Sequence, residues 1–245
     1  MKGVILAGGT GSRLSPLTDV TNKHLLPVYD EPMLYKVIHT MVDSGITDIQ
    51  IVLGGNSVGD IVRLIGSGKD FGDEVKISYV YQDRAGGIAE ALSLNEHFVD
   101  GDKVAVILGD NIFEEDFKTY VDAFRSDYTH ECYLFLKEVQ EPERFGVADV
   151  EDGKVINIEE KPDEPKSNYA VTGLYFYNGN VFDIIKQVID EIGYSDRGEL
   201  EITDVNNMYI DRGTVKPVFV DGFWSDAGKF DTLLKCANFI KNKSE

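Results

Sequence analysis

Apolar positions along this chain fall into two alternating periods. Val4-Ile5-Leu6-Ala7 is a short continuous apolar run, as expected of a strand buried on both faces. Met33, Leu34, Val37, Ile38, Met41 and Val42 then recur at helical spacing, with Pro32 as the expected first helical residue and Gly45 as the stop. Asp48 to Leu53 predicts a second strand, and a short helix follows with Ile61, Val62 and Ile65 on its packing side, ending at Gly66-Ser67-Gly68. Further on, the pattern predicts a strand at Val75 to Gln82, a helix from about Ile88 to Phe98 and a strand at Lys103 to Leu108. A helix at Asp116 to Ser126 and a strand at Glu131 to Val139 complete an alternating, mostly parallel first half.

From Glu141 the rhythm changes. Phe145 to Val150, Val155 to Glu160 and Ala170 to Tyr177 are strand-like runs separated by short polar turns, which predicts an antiparallel or mixed region. Helical stretches near Val181 to Ile192 and Glu199 to Arg212 precede a strand at Val215 to Val220. Gly222 to Gly228 is expected to be a glycine-flanked turn, and Lys229 to Lys241 a closing helix. Without repeats or a long linker, the expectation is one domain on one continuous sheet, with a first part at about 1–140, a second at about 141–228 and a closing helix at 229–245.

Composition narrows the partners. The 245 residues carry 24 Lys plus Arg against 43 Asp plus Glu, a formal charge of −19, which argues against nucleic acid and anionic membranes. Any phosphorylated substrate must therefore be met by local cations. No apolar segment approaches the roughly 20 residues that span a bilayer, and the amino terminus lacks a secretory pattern, so a cytoplasmic protein is expected. Cys132 and Cys236 have neither disulfide-framework nor metal-ligand spacing.

The chemistry concentrates where the first strand ends. Gly8, Gly9 and Gly11 expose backbone N–H groups beside Arg13 and Lys23, a combination suited to polyphosphate. Neither the dinucleotide fingerprint nor a Walker A loop fits, since Leu14 stands where the third glycine belongs and no G-K-[ST] follows. Asp110 ends a strand and Asp226 sits among glycines. Each alone suits a turn or a cap, but two carboxylates brought together could hold magnesium. Glu160-Lys161 offers a carboxylate for sugar hydroxyls and an ammonium for phosphate, and Gln82 ahead of Gly86-Gly87 offers an amide for a base edge. Trp224, Tyr175 and Tyr177, each taken alone, are better explained as core packing residues.

Together these segments resemble the sugar-1-phosphate nucleotidyltransferases, and among them the thymidylyltransferase group. The residues that carry the resemblance are Leu6 to Leu14, Asn22-Lys23-His24-Leu25-Leu26-Pro27, Leu108 to Phe113, Pro142 to Val147, Glu159 to Pro162, Tyr169 to Tyr175 and Arg197 to Asp204. The resemblance implies an α/β, Rossmann-like, open mixed and mostly parallel sheet flanked by helices, with an antiparallel sugar-binding insertion. It implies that glucose 1-phosphate attacks the α-phosphorus of dTTP with Mg2+, giving pyrophosphate and dTDP-glucose, the first step of dTDP-rhamnose-type deoxysugar synthesis.

By motif position, Arg13, Lys23, Asp110 and Asp226 would be catalytic, the two aspartates holding the metal. Leu6, Gly8, Gly9, Gly11, Ser12, Arg13, Gln82 and Gly87 would bind the nucleotide. Asn111, Gly146, Glu160, Lys161, Val171, Tyr175, Arg197 and Trp224 would bind the sugar phosphate. A homo-oligomer, dimer or tetramer, is implied as well. His24 and Phe145 depart from the residues common in long members, and the sequence stops soon after its last helical segment, so a short form is expected. The alternatives are a UTP-dependent uridylyltransferase and a non-catalytic nucleotide-sugar-binding subunit.

Overall fold

The computed structural model describes residues 1–244. In chain order its strands are β1 (Lys2–Ala7), β2 (Pro27–Val28), β3 (Glu31–Pro32), β4 (Asp48–Leu53), β5 (Lys76–Tyr81), β6 (Val104–Leu108) and β7 (Asn111–Phe113). They continue with β8 (Cys132–Glu138), β9 (Gly146–Glu151), β10 (Lys154–Glu160), β11 (Tyr169–Tyr177), β12 (Val215–Phe219) and β13 (Trp224–Asp226). The helices are α1 (Met33–Asp43), α2 (Val58–Ile65), α3 (Ile88–Ser93), α4 (Glu96–Val99), α5 (Lys118–Ser126), α6 (Val181–Glu191), α7 (Ile202–Asp211) and α8 (Phe230–Ser244). The expected class, a mixed and mostly parallel sheet flanked by helices, is the class the chain forms.

Two compact units share this chain. Among the described residues the first holds 2–85, 107–121 and 222–244, and the second holds residue 1, 86–106 and 122–221; the last residue of the expected closing helix, 245, lies outside them. In the first, β1, β4 and β5 run parallel, Ile5 beside Ile51 and Ile51 beside Tyr79, and the end of β6 lies next to β1. Val4, Ile5 and Ala7 are sealed from water because α1 lays its Leu34, Val37 and Ile38 face inward, so the continuous apolar run of β1 is a buried parallel strand as expected. The second unit is antiparallel where β10 meets β9 and β11 meets β8, with β12 added parallel to β8. β6 passes from one unit into the other.

Four local expectations needed correction. Pro32 is not the first turn of α1 but the extended residue before it, with φ −55° and ψ 142°, because it pairs with Pro27 in a two-residue hairpin. Val62 is exposed, leaving Ile61 and Ile65 as the buried stripe of α2. The helix expected from Ile88 to Phe98 breaks in two, since the Asn95 side-chain amide donates to the Ala91 and Leu92 carbonyls at 2.9 and 3.0 Å and caps the first piece. Finally, Trp224 to Asp226 is a strand rather than a turn. Its ladder partner is β7, with Asp226 opposite Asn111, and a pairing across more than a hundred residues leaves no local signature.

Candidate active site

In the first unit, β1 ends at Ala7 and from Gly8 the chain enters a loop of single helical turns at Ser12–Leu14, Leu17–Asp19 and Lys23–Leu25. Gly11 takes a left-handed φ of 70°, and a Cβ there would lie 2.9 Å from both the Lys23 Cβ and the Thr18 methyl, so only glycine allows the loop to fold this tightly on itself. Thr18 donates its hydroxyl to the Gly11 carbonyl at 2.9 Å. Asn22 fastens the far end: its amide nitrogen donates to the Gly54 and Asn56 carbonyls, and its Oδ1 accepts from the His24 backbone N–H at 3.0 Å. The loop is thus held in part by side chains other than Arg13 and Lys23.

Lys23 Nζ donates to Asp110 Oδ2 at 2.6 Å. Burial works to raise the Asp110 carboxyl, but the Lys23 charge and hydrogen bond, with smaller help from His24 and Asn111, bring it down to about 2. Asp110 is therefore an anion throughout the neutral range. Its Oδ1 accepts from Asn111 Nδ2 at 3.0 Å, and Asn111 Oδ1 in turn accepts from Trp224 Nε1 at 2.7 Å. Across the β7–β13 ladder, the Ala227 N–H donates to the Asp110 carbonyl at 2.7 Å. This ladder delivers Asp226: a single point at Gly228, where a Cβ would stand, lies 3.0 Å from Asp226 Oδ2, 3.3 Å from Asp110 Oδ2 and 3.0 Å from an Arg13 terminal nitrogen.

The two carboxylates expected to act together do converge, with Lys23 and Arg13 beside them. Hard oxygen donors in a pair suit a magnesium ion whose remaining positions go to water and phosphate oxygens. Among the described residues no group of three or more His, Cys, Asp or Glu side chains could by itself cage a metal. Gly8 meets the opposite side of the loop, where a Cβ would come within 2.5 Å of Gln82 Oε1. Gln82 is buried and, among the described residues, its Nε2 has no hydrogen-bond partner, a donor that costs free energy unless something else meets it. His24 is similarly placed. Its Nδ1 lies 2.7 Å from Asn22 Oδ1, its buried Nε2 meets no partner among the described residues, and burial, then Lys23, lower its pKa to about 3 against the opposing pull of Asp110.

Leu6, Gly8, Gly9, Gly11, Ser12, Arg13, Lys23, Gln82, Asp110, Asn111, Trp224 and Asp226 all belong to this unit. Gly87, Gly146, Glu160, Lys161, Val171, Tyr175 and Arg197 belong to the other. There, Gly87 has φ 100° and its backbone is pressed on Leu200, where a Cβ would meet the Leu200 nitrogen at 2.6 Å and its carbonyl oxygen closer still. Close packing is thus sufficient reason for glycine at 87.

Glu160 sits at the centre of the second cluster. Its Oε1 pairs with Lys161 Nζ at 2.6 Å and with Arg197 at 3.7 Å, while its Oε2 accepts from Thr203 Oγ1 at 2.8 Å. Gly146 leaves space beside it, since a Cβ there would stand 3.3 Å from Glu160 Oε2. Lys161 takes a left-handed φ of 48° immediately after β10, with its N–H donated to the Phe145 carbonyl. Arg197 also pairs with Glu201 at 2.8 Å, and Glu201 accepts from Ser195 Oγ at the same distance. Val171 and Tyr175 bracket a register shift in β11, and the Tyr175 ring stacks on Tyr177 at 5.9 Å. Burial, then Glu160, push the Tyr175 hydroxyl far above its ordinary pKa, so it stays neutral.

Sequence reasoning missed Gly228, Asn22, Thr203 and Glu201. Asn22 was within reach, as an Asn ahead of a helical turn is a cap signal, whereas Thr203 and Gly228 matter only through partners distant in sequence.

A glycine loop carrying two cations, with Asp110 just past β6 and Asp226 on β13 beside it, has the chemistry suited to phosphoryl groups, and the chain belongs to the nucleotidyl transferase family, matched over residues 2–243. Its relatives point to one member activity. It is 41% identical over 244 residues to the glucose-1-phosphate thymidylyltransferase of Neisseria meningitidis, an alignment covering 98% of this chain and 83% of the relative. It is 42% identical to the enzyme of the same name from Xanthomonas campestris, covering 98% and 80%. A crystal structure from Bacillus anthracis, assigned as a glucose-1-phosphate thymidylyltransferase and complexed with sucrose, superposes with a TM-score of 0.92 at 50% identity over 99% of this chain and 96% of that one. A UDP-glucose pyrophosphorylase complexed with UDP-glucose shares the fold, with a TM-score of 0.83 at 23% identity over 99% and 98%.

Proposed function

We propose that this enzyme is a magnesium-dependent glucose-1-phosphate thymidylyltransferase, which joins dTTP and glucose 1-phosphate into dTDP-glucose with release of pyrophosphate. The observation that carries the proposal is the meeting of Asp110, Asp226 and Arg13 at Gly228, with Lys23 hydrogen-bonded to Asp110. The relatives named for this activity, at 40% identity or more over 98% of the chain, support the choice of substrates.

In the reaction, a phosphate oxygen of glucose 1-phosphate forms a new bond to the α-phosphorus of dTTP as the bond from that phosphorus to the bridging oxygen of pyrophosphate breaks. The attacking phosphate is already an anion, so no general base is needed, and catalysis lies in positioning and charge stabilisation. Gly8, Gly9, Gly11 and Ser12, following Leu6, offer backbone donors to the nucleotide. Arg13 and Lys23 offset the negative charge spread over the transferring phosphoryl group, and the unpaired Gln82 Nε2 is available to an acceptor on the base.

Asp110 and Asp226 would hold Mg2+, which when bound screens phosphate charge and stabilises the leaving pyrophosphate. Asn111, tied to Trp224 on one side and Asp110 on the other, orients the first of these carboxylates. On the sugar side, Glu160 would accept from hexose hydroxyls, Lys161 and Arg197 would meet the 1-phosphate, and Gly146, Val171 and Tyr175 would shape the pocket; Gly87 would offer its backbone to the nucleotide. Residues 1–140 and 141–228 would then carry mainly nucleotide and sugar binding respectively. We place the enzyme in the cytoplasm as a homo-oligomer, its product serving dTDP-rhamnose-type synthesis. Among the described residues no helix is long and apolar enough to cross a membrane.

Pyrophosphate release measured across dTTP, UTP and CTP, each with glucose 1-phosphate and other hexose 1-phosphates, tests the proposal. Highest kcat/KM is expected for dTTP with glucose 1-phosphate. A preference for UTP would reassign the enzyme as a uridylyltransferase, and no turnover with any pair would favour a non-catalytic nucleotide-sugar-binding subunit.

A further inference from the structure

The Glu160 carboxylate is held asymmetrically. Its Oε1 faces two cations that are both about half exposed, Lys161 at 2.6 Å and Arg197 at 3.7 Å. Its Oε2 is held from the other side by the Thr203 hydroxyl at 2.8 Å. Thr203 is 5% exposed and is the second residue of α7, so its side chain is fixed by a helix rather than by a loop. Gly146 lies against the same pair, where a Cβ would stand 3.3 Å from Oε2 and 3.4 Å from Thr203 Oγ1. Nothing larger than glycine could enter there without crowding the bond.

Two kinds of partner therefore share one carboxylate: long, solvent-facing cations that an anion can draw away, and a short buried hydroxyl that cannot follow. A phosphate dianion arriving near Lys161 and Arg197 competes directly with Glu160 for both, because each gains a stronger charge-assisted bond from a dianion. Once the cations turn to the phosphate, Oε1 is left with open acceptor capacity, and only the Thr203 bond keeps the carboxylate where it was. Without that bond Glu160 would be free to follow Lys161 toward the anion.

We infer that Thr203 is a positioning residue for sugar recognition, anchoring Glu160 Oε2 so that Oε1 passes from the cations to a sugar hydroxyl when the 1-phosphate binds. Phosphate and hydroxyl recognition are thereby coupled through one carboxylate. The inference rests on the assignment of Glu160 to the sugar made under Proposed function, and it adds a residue and a binding order to it.

The test compares T203V, T203S, T203A and E160Q in steady-state assays with dTTP, glucose 1-phosphate and Mg2+, alongside thermal melting. Losing a hydrogen bond to a charged group should raise the KM for glucose 1-phosphate about tenfold or more in T203V and T203A. The KM for dTTP should stay within about twofold, kcat should change little, and T203S should return the sugar KM to within about threefold of wild type. If E160Q leaves the sugar KM unchanged, the assignment of Glu160 fails and this inference falls with it. If E160Q raises that KM while T203V and T203A do not, or if T203S is as impaired as T203V, Thr203 is a packing residue and the inference alone is overturned. A parallel rise in the dTTP KM would overturn it too, since general loosening moves both constants. Should T203V fail to fold, T203A and T203S decide the matter.

Discussion

Lys23 Nζ and Asp110 Oδ2 form a 2.6 Å ion pair in which both side chains are nearly buried, 13% and 11% exposed. Eighty-seven residues separate the two in sequence, and the pair joins the glycine loop to the end of β6. Removing one partner of such a pair leaves an uncompensated buried charge, so it organises the site as well as serving it.

Acid should therefore weaken the protein through Asp110. Its folded pKa, about 2, lies below its ordinary 3.8, so the stabilisation is fully present above pH 4 and is lost as pH falls through about 2. A shift of nearly two units corresponds to roughly 2 kcal/mol. Denaturant melts of wild type and Asp110→Asn between pH 2 and 7 should show the wild-type advantage shrinking only at the acid end.

His24 acts on a higher window. Its folded pKa of about 3 lies below the ordinary 6.5, so the unfolded chain binds more protons in between and stability falls as pH drops from about 6.5 towards 3. In a histidine-resolved NMR titration the His24 ring signals should stay flat from pH 5 to 8. A midpoint near 6.5 would mean that the ring is solvated.

Metal dependence should follow the carboxylates. Asp110→Asn and Asp226→Asn are each expected to lower Mg2+-dependent turnover by about 100-fold or more while circular dichroism is retained. Near-normal magnesium-dependent rates in both variants would remove these residues from the metal site.

Arg13 separates chemistry from scaffolding. It is exposed, whereas the loop around it is tied down by Gly11, Thr18 and Asn22. Arg13→Ala should reduce kcat about 100-fold or more, as expected for lost charge stabilisation, with melting temperature within a few degrees of wild type. A larger effect on stability than on turnover would make the loop mainly structural.

Much of this molecule was legible along the chain because strands and helices buried by one face leave a period in the sequence. The apolar run of β1, the Leu34-Val37-Ile38 stripe of α1 and the alternation of elements up to β6 are all local patterns, and apart from the break between α3 and α4 they emerged where expected. The tight turn of Gly8 to Gly11 was also readable, since a glycine turn is set within a short stretch, and with Arg13 and Lys23 it carries the proposal of phosphate binding. What the tertiary structure alone decided was who meets whom. Asp226 looked like a turn residue, yet β13 pairs with β7, and that ladder brings it to Asp110 and Arg13 at Gly228. Thr203 and Asn111 gained their significance in the same manner, through partners 43 and 113 residues away. Periodicity records which face of an element is buried, but hydrogen bonds between distant elements leave no mark in either sequence segment.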